Sequence, residues 1–164
     1  GDNAINIDSE DNSENLFNGK GKMNIIATDS SAIAIDSKDE SRLVMGSDGK
    51  RDITLPEGNF QAAIDLTTSG SGDENSFRNT IENNTIKSAF SGIDVSASGT
   101  STTLIGNNDI EDGVLAAGSI SAASTSKITI GADNKLESFS SPKFIVTETG
   151  DGKVICNNDN HCLK

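Results

Sequence analysis

Residues 83–106 read NNTIKSAFSGIDVSASGTSTTLIG, and residues 107–131 read NNDIEDGVLAAGSISAASTSKITIG. The second stretch repeats the first. Asn83 aligns with Asn107, Ile86 with Ile110, Val95 with Ile120, Leu104 with Thr129 or Ile128, and Gly106 with Gly131. ADNKLES (132–138) then opens a third copy. Each copy holds three short apolar segments divided by polar turns: an N-N-x-I segment, an I-x-V segment and one ending in I-G.

The repeat extends outward in both directions. AINIDSEDNSENLFNG (4–19) and AIAIDSKDESRLVMG (32–46) recur in pattern, and Ile33 and Ile35 stand as far before Gly46 as Ile93 and Val95 stand before Gly106. One aliphatic position, occupied by Ile7, Ile35, Leu66, Val95, Ile120 and Val146, returns about every 25–31 residues. A fixed period of this size is the mark of a stacked-repeat architecture.

Three short strands in each repeat predict an all-β right-handed parallel β-helix of about six coils, with projecting loops, as a single segment over 1–164. Each coil then bonds to its neighbours at a rise of about 4.8 Å. Alternation within the strands points Ile5 and Ile7, Ile33 and Ile35, Ile64 and Leu66, and Ile93 and Val95 inward. Asn84, Asn108 and Asn134 fall at turns. There they either stack and share amide hydrogen bonds from coil to coil or serve a left-handed turn geometry that Asn tolerates. Competing folds fit less well. Leucine-rich repeats need more Leu than the 8 present, the six-residue sub-period of a left-handed β-helix fails outside 130–136, and a β-sandwich gives no reason for matched copies.

Composition agrees with many strands and many turns. The chain has 18 Ile, 13 Thr and 5 Val, whose branched side chains suit a pleated surface. It has 22 Ser, 17 Asn, 16 Asp and 16 Gly to build turns, but no Trp or Tyr. A net charge of −12 repels phosphate backbones and anionic lipid, which argues against nucleic-acid binding. No apolar run is long enough to insert this segment in a membrane.

Two stretches read as loops projecting from the coil. SDGKRDITLPEGNFQAA (47–63) carries Asp48, Lys50 and Arg51, with an extra strand at ITL and a turn at Pro56–Gly58. TTSGSGDENSFR (67–78) carries Asp73 and Glu74. Loops on a stiff scaffold are where binding residues usually sit, so these are candidate binding residues, against the plainer reading of surface insertions. Asp65 and Asp94 join them. Each is the outward middle residue of an I-D-L/V strand, and stacking of coils sets them one above the other, where like charges perturb each other.

Cys156 and Cys162 bracket CNNDNHC in the segment 147–164, which reads as a C-terminal tail with a short disulfide loop. The alternative, a metal site using both thiolates and His161, lacks a fourth ligand. No cofactor is expected. Calcium has only a loose match in SGSGDENSF (69–77), and no residue is assigned to a metal or to catalysis.

With these residues laid out, the chain resembles the passenger regions of bacterial autotransporters and related two-partner-secreted adhesins. Those are long right-handed β-helices, rich in Gly, Asn, Ser, Thr and Asp, poor in cysteine and built from degenerate repeats such as NNTI, GIDV and TLIG here. The resemblance implies a piece of a longer passenger, displayed at the bacterial cell surface or secreted and associated with virulence. Its partners would be host surface glycans, extracellular-matrix proteins, neighbouring cells or further copies of itself. The alternative is a carbohydrate-active β-helix, similar to pectate lyases or phage tailspikes, using outward acidic residues.

Overall fold

The computed structural model describes residues 5–11, 13–17, 31–38, 41–46, 51–54, 61–70, 79–87, 90–111, 114–137 and 143–164. Every strand pair in it is parallel, and the strands form three sheets that the chain visits in rotation. The first sheet holds β1 (Ile5–Ser9), β3 (Ile33–Lys38), β6 (Ala62–Gly70), β9 (Ser91–Gly99), β12 (Gly118–Ala122), β15 (Phe144–Glu148) and β17 (Cys162–Leu163). The second holds β2 (Glu14–Phe17), β4 (Arg42–Met45), β7 (Asn79–Glu82), β10 (Thr102–Gly106), β13 (Lys127–Ile130) and β16 (Lys153–Cys156). The third holds β5 (Arg51–Thr54), β8 (Asn84–Lys87), β11 (Asp109–Ile110) and β14 (Lys135–Leu136). This is a parallel β-solenoid. Among the described residues, four coils carry all three faces, and the coils before and after them carry strands of the first two sheets.

The six anchors of the repeat lie on one ladder. Ile7 pairs with Ile35, Ile35 with Leu66, Leu66 with Val95, Val95 with Ile120, and Ile120 with Val146. The repeats differ in length, yet their anchors still stack, so the differences are absorbed at the corners. Leu104 pairs with Thr129, which settles the alignment left open in the sequence. The inward residues of the three sheets meet in one aliphatic core containing Ile33, Ile64, Ile81, Ile86, Ile105 and Ile128. Among the described residues one aromatic enters it. Phe144 is fully buried, and Gly118 makes room for it: a Cβ on Gly118 would lie 3.0 Å from the ring and run into the Ile93 carbonyl oxygen.

Of the two readings of the corner asparagines, the stacked one holds for Asn84, Asn108 and Asn134. Asn84, Asn108 and Asn134 are buried and form an amide ladder. The Asn84 side-chain amide donates to Asn108 Oδ1 at 2.9 Å, and that of Asn108 to Asn134 Oδ1 at 3.1 Å. The same oxygens accept the backbone N–H groups of Asn84 and Asn108, which satisfies corner backbone that no sheet covers. The residues just before, Asn83 and Asn107, take left-handed conformations at φ 59° and 49°. A second polar support escaped the sequence reading. Buried Asn79 accepts the Leu43 N–H at 3.1 Å and the Ser37 hydroxyl at 3.2 Å, and donates to Thr68 Oγ1 at 3.1 Å.

The segment expected as a C-terminal tail belongs to the solenoid. β16 pairs with β13, and β17 pairs with β15. A short 3-10 turn over Asp159–His161 carries the chain from the second sheet straight to the first, and the Cys156–Cys162 disulfide joins them with Cα atoms 6.5 Å apart. The disulfide stands where the earlier coils have a third face. With both sulfurs in that bond, the thiolate metal site weighed as its alternative does not form.

Candidate functional site

The first sheet presents two outward columns. The residue after each anchor forms one of them: Asp8, Asp36, Thr67, Ser96, Ser121 and Thr147 are successive register partners. The residue before each anchor forms the other, which includes Ala34, Asp65 and Asp94 in register, with Ser119 next. The face is therefore acidic at its N-terminal end and hydroxyl-bearing toward the C-terminal end, with side chains repeating at the ladder spacing of about 4.8 Å. Lys38 ties the acidic end together, with Nζ 2.8 Å from Asp36 and 3.7 Å and 3.6 Å from Asp8 and Glu10. Its bond to Asp36 raises the Lys38 pKa.

Asp65 and Asp94 meet as the stacking of coils predicts, directly paired on β6 and β9. Their environments differ. Asp94 Oδ1 accepts the Ser91 hydroxyl and the Ser119 backbone N–H, the latter at 2.8 Å, so this carboxylate is held in place across two coils. Asp65 is half-buried beside it, and burial followed by the Asp94 charge pushes its pKa up. Chemically the pair is an anchored acceptor next to a carboxyl that takes up a proton more readily than usual. The flanking hydroxyls of Ser96, Ser121 and Thr67 offer donors and acceptors at regular steps.

Of the other candidate residues, Arg51 does not join this pair. Arg51 was expected on a projecting loop, but it opens β5, pairs with Asn84 and is only 1% exposed. The reason is the period itself: 51–54 supplies the third face of its coil, so a basic residue at the asparagine corner is drawn inside. Burial lowers its pKa. The expected loop at 67–78 likewise begins inside β6, which runs to Gly70. Asp48, Lys50, Asp73 and Glu74 lie outside the described residues. So does most of the loose calcium-loop match at 69–77, and among the described residues no three His, Cys, Asp or Glu side chains converge to hold a metal. Nor is any helix among them long and apolar enough to cross a membrane. His161 sits in the disulfide turn, Nε2 3.0 Å from the Asn158 side-chain amide, and burial lowers its pKa.

The hydroxyl column was missed in the sequence, although a signal existed. Each member follows an anchor directly, as in IDLT, IDVS and SISA. Compared with known proteins, the chain matches no family model, no curated protein and no solved structure.

Proposed function

We propose that this solenoid is a segment of a bacterial surface-displayed or secreted adhesin that binds host glycans or matrix proteins non-enzymatically through the outward face of its first sheet. The observation that carries this reading is the unbroken outward ladder Asp36–Thr67–Ser96–Ser121–Thr147, with Asp65 and Asp94 beside it. Repeating hydroxyl and carboxylate groups on a stiff parallel sheet match a ligand that itself repeats polar groups, as a polysaccharide or a glycosylated matrix fibre does. Rigid backbone keeps the ordering cost low, and many weak polar contacts then add through repetition.

A binding screen against glycosaminoglycans, neutral glycans, matrix proteins and whole cells tests the proposal. Saturable binding to at least one of them is expected, falling about tenfold or more when Ser96→Leu and Ser121→Leu remove the hydroxyls and block the face. Absence of any saturable binding, or binding indifferent to both substitutions, overturns it.

One observation favours a second reading, a carbohydrate-cleaving β-helix. Asp65 and Asp94 stand on neighbouring strands, about 4.8 Å apart at the backbone, and Asp65 has a raised pKa. Two neighbouring carboxyls, one of them with a raised pKa, are the groups that retaining glycosidases use. New reducing ends from a polysaccharide panel, lost in Asp94→Asn, would establish this reading and displace the first.

A further inference from the structure

The second sheet is different on its outside. Leu16, Val44, Thr80, Leu104, Thr129 and Ile155 are register partners in succession across all six strands. Not one of these outward positions is charged. They make an aliphatic and threonine stripe about 24 Å long at the ladder rise, with Leu16 61% and Ile155 40% exposed at its ends, Val44, Thr80 and Leu104 half-buried between them, and Thr129 buried. The outward columns of the other two sheets both carry carboxylates.

Charge of opposite sign borders the stripe. Two residues earlier along the strands, Glu14 and Arg42 stack as an ion pair at the N-terminal end, and Lys127 and Lys153 stack as direct partners toward the C-terminal end, leaving that border net positive. Two residues later the position is Gly106 or Gly131, and carboxylates lie across these glycines. A Cβ on Gly106 would be 3.3 Å from Glu82 Oε1 and 3.6 Å from Asp133 Oδ1. Among the described residues none of Lys127, Lys153, Glu82 and Asp133 is in an ion pair. Lys127 and Gly131 are about 13 Å apart along the strand, so the two borders cannot neutralise each other within one chain.

We propose that this face packs against the same face of a second copy, the two solenoids lying side by side and parallel about a two-fold axis that runs along the stripe. Such an axis keeps the coil order and reverses the strand direction across the interface. The lysine border of each copy then meets the carboxylate border of the other, and the uncharged stripes meet each other. A two-fold axis along the strands would set lysine against lysine and carboxylate against carboxylate, which disfavours it. The stripe and its borders offer about 300 Å² a side, well below the roughly 800 Å² per partner of a stable complex. The pairing is therefore weak between free chains and strong where copies are held at high local concentration, as on a surface. It uses a different face from the one proposed for ligand binding.

A residue on the axis meets its own copy, and that makes the geometry testable. Leu104→Cys is expected to form a disulfide-linked dimer of the whole chain under mild oxidation, whereas Thr67→Cys on the first sheet stays monomeric. Adding Lys127→Glu and Lys153→Glu should reduce the Leu104→Cys dimer about tenfold, with Lys127→Gln and Lys153→Gln as milder variants. Adding Glu82→Lys and Asp133→Lys to the glutamate variant exchanges the two borders and should restore the dimer. Circular dichroism melts keep folding separate from pairing in each variant. Equal cross-linking at 67 and 104, no cross-linking at 104, or no recovery on exchanging the borders overturns the proposal. None of these outcomes involves a glycan, so they leave the first-sheet reading to its own test.

Discussion

Asp65 shows how one side chain links stability to pH. Its carboxyl is half-buried and faces Asp94, so its pKa is raised in the folded chain above the unfolded value. The folded state then holds a proton that the unfolded state releases. Stability contributed by Asp65 is fully present below its unfolded pKa and is lost as pH rises through the folded one. Asp65→Asn is therefore expected to stabilise the protein at neutral pH and flatten that part of the pH profile. Urea midpoints measured across the acidic range check both effects. The adjacent asparagine columns give a second contrast. Asn108→Ala leaves buried partners on three sides unsatisfied, including the Asn84 backbone N–H, and should cost about 3 kcal/mol. Asn107→Gly keeps a left-handed corner residue and should change the urea midpoint far less.

At the level of the element, the strands are short and each depends on the coil beside it. Alternation in β3 and β12 was legible from the residues alone, because stiff branched side chains facing a shared interior leave only the intervening positions for solvent. Packing between coils was not legible. Phe144 fits only because Gly118 in the coil before has no side chain, and nothing in either stretch announces that they meet. Phe144→Ala should lower stability by about 3–5 kcal/mol in a denaturant titration. The last coil is closed differently, by a disulfide across two sheets. Replacing Cys156 and Cys162 with Ser is expected to cost about 2 kcal/mol, the loop-closure value for so short a link, and to loosen β16 and β17 first. Amide exchange in Lys153–Leu163 reads that loosening directly.

The whole chain carries a net charge of −12, and among the described residues carboxylates gather on particular faces. Asp8, Asp36 and Glu10 share Lys38, while among the described residues Lys127 is in no ion pair and Lys153 acts on Glu148 without a direct one. Screening at about 0.15 M salt shortens the reach of this repulsion to roughly 8 Å. The melting temperature is accordingly expected to rise between very low and physiological ionic strength. A fall would mean that attractive pairs dominate the surface.

The amino-acid sequence by itself determined the repeat, the parallel stacking of its anchors and the side of the sheet on which each strand residue lies. These follow from a period of two within strands and a recurring corner between them, both written locally. It also contained the outward hydroxyl column, one residue after each anchor, and the two asparagine columns at the corner. Only the tertiary structure decided which distant side chains share a space. It buried Arg51, locked Asp94 between Ser91 and Ser119, and narrowed the last coil to two bridged faces. It also set Lys127 and Lys153 on one border of an uncharged stripe and Glu82 and Asp133 on the other. Such neighbours are joined through the ladder register of residues a full coil apart, and that register depends on how much chain each corner takes up.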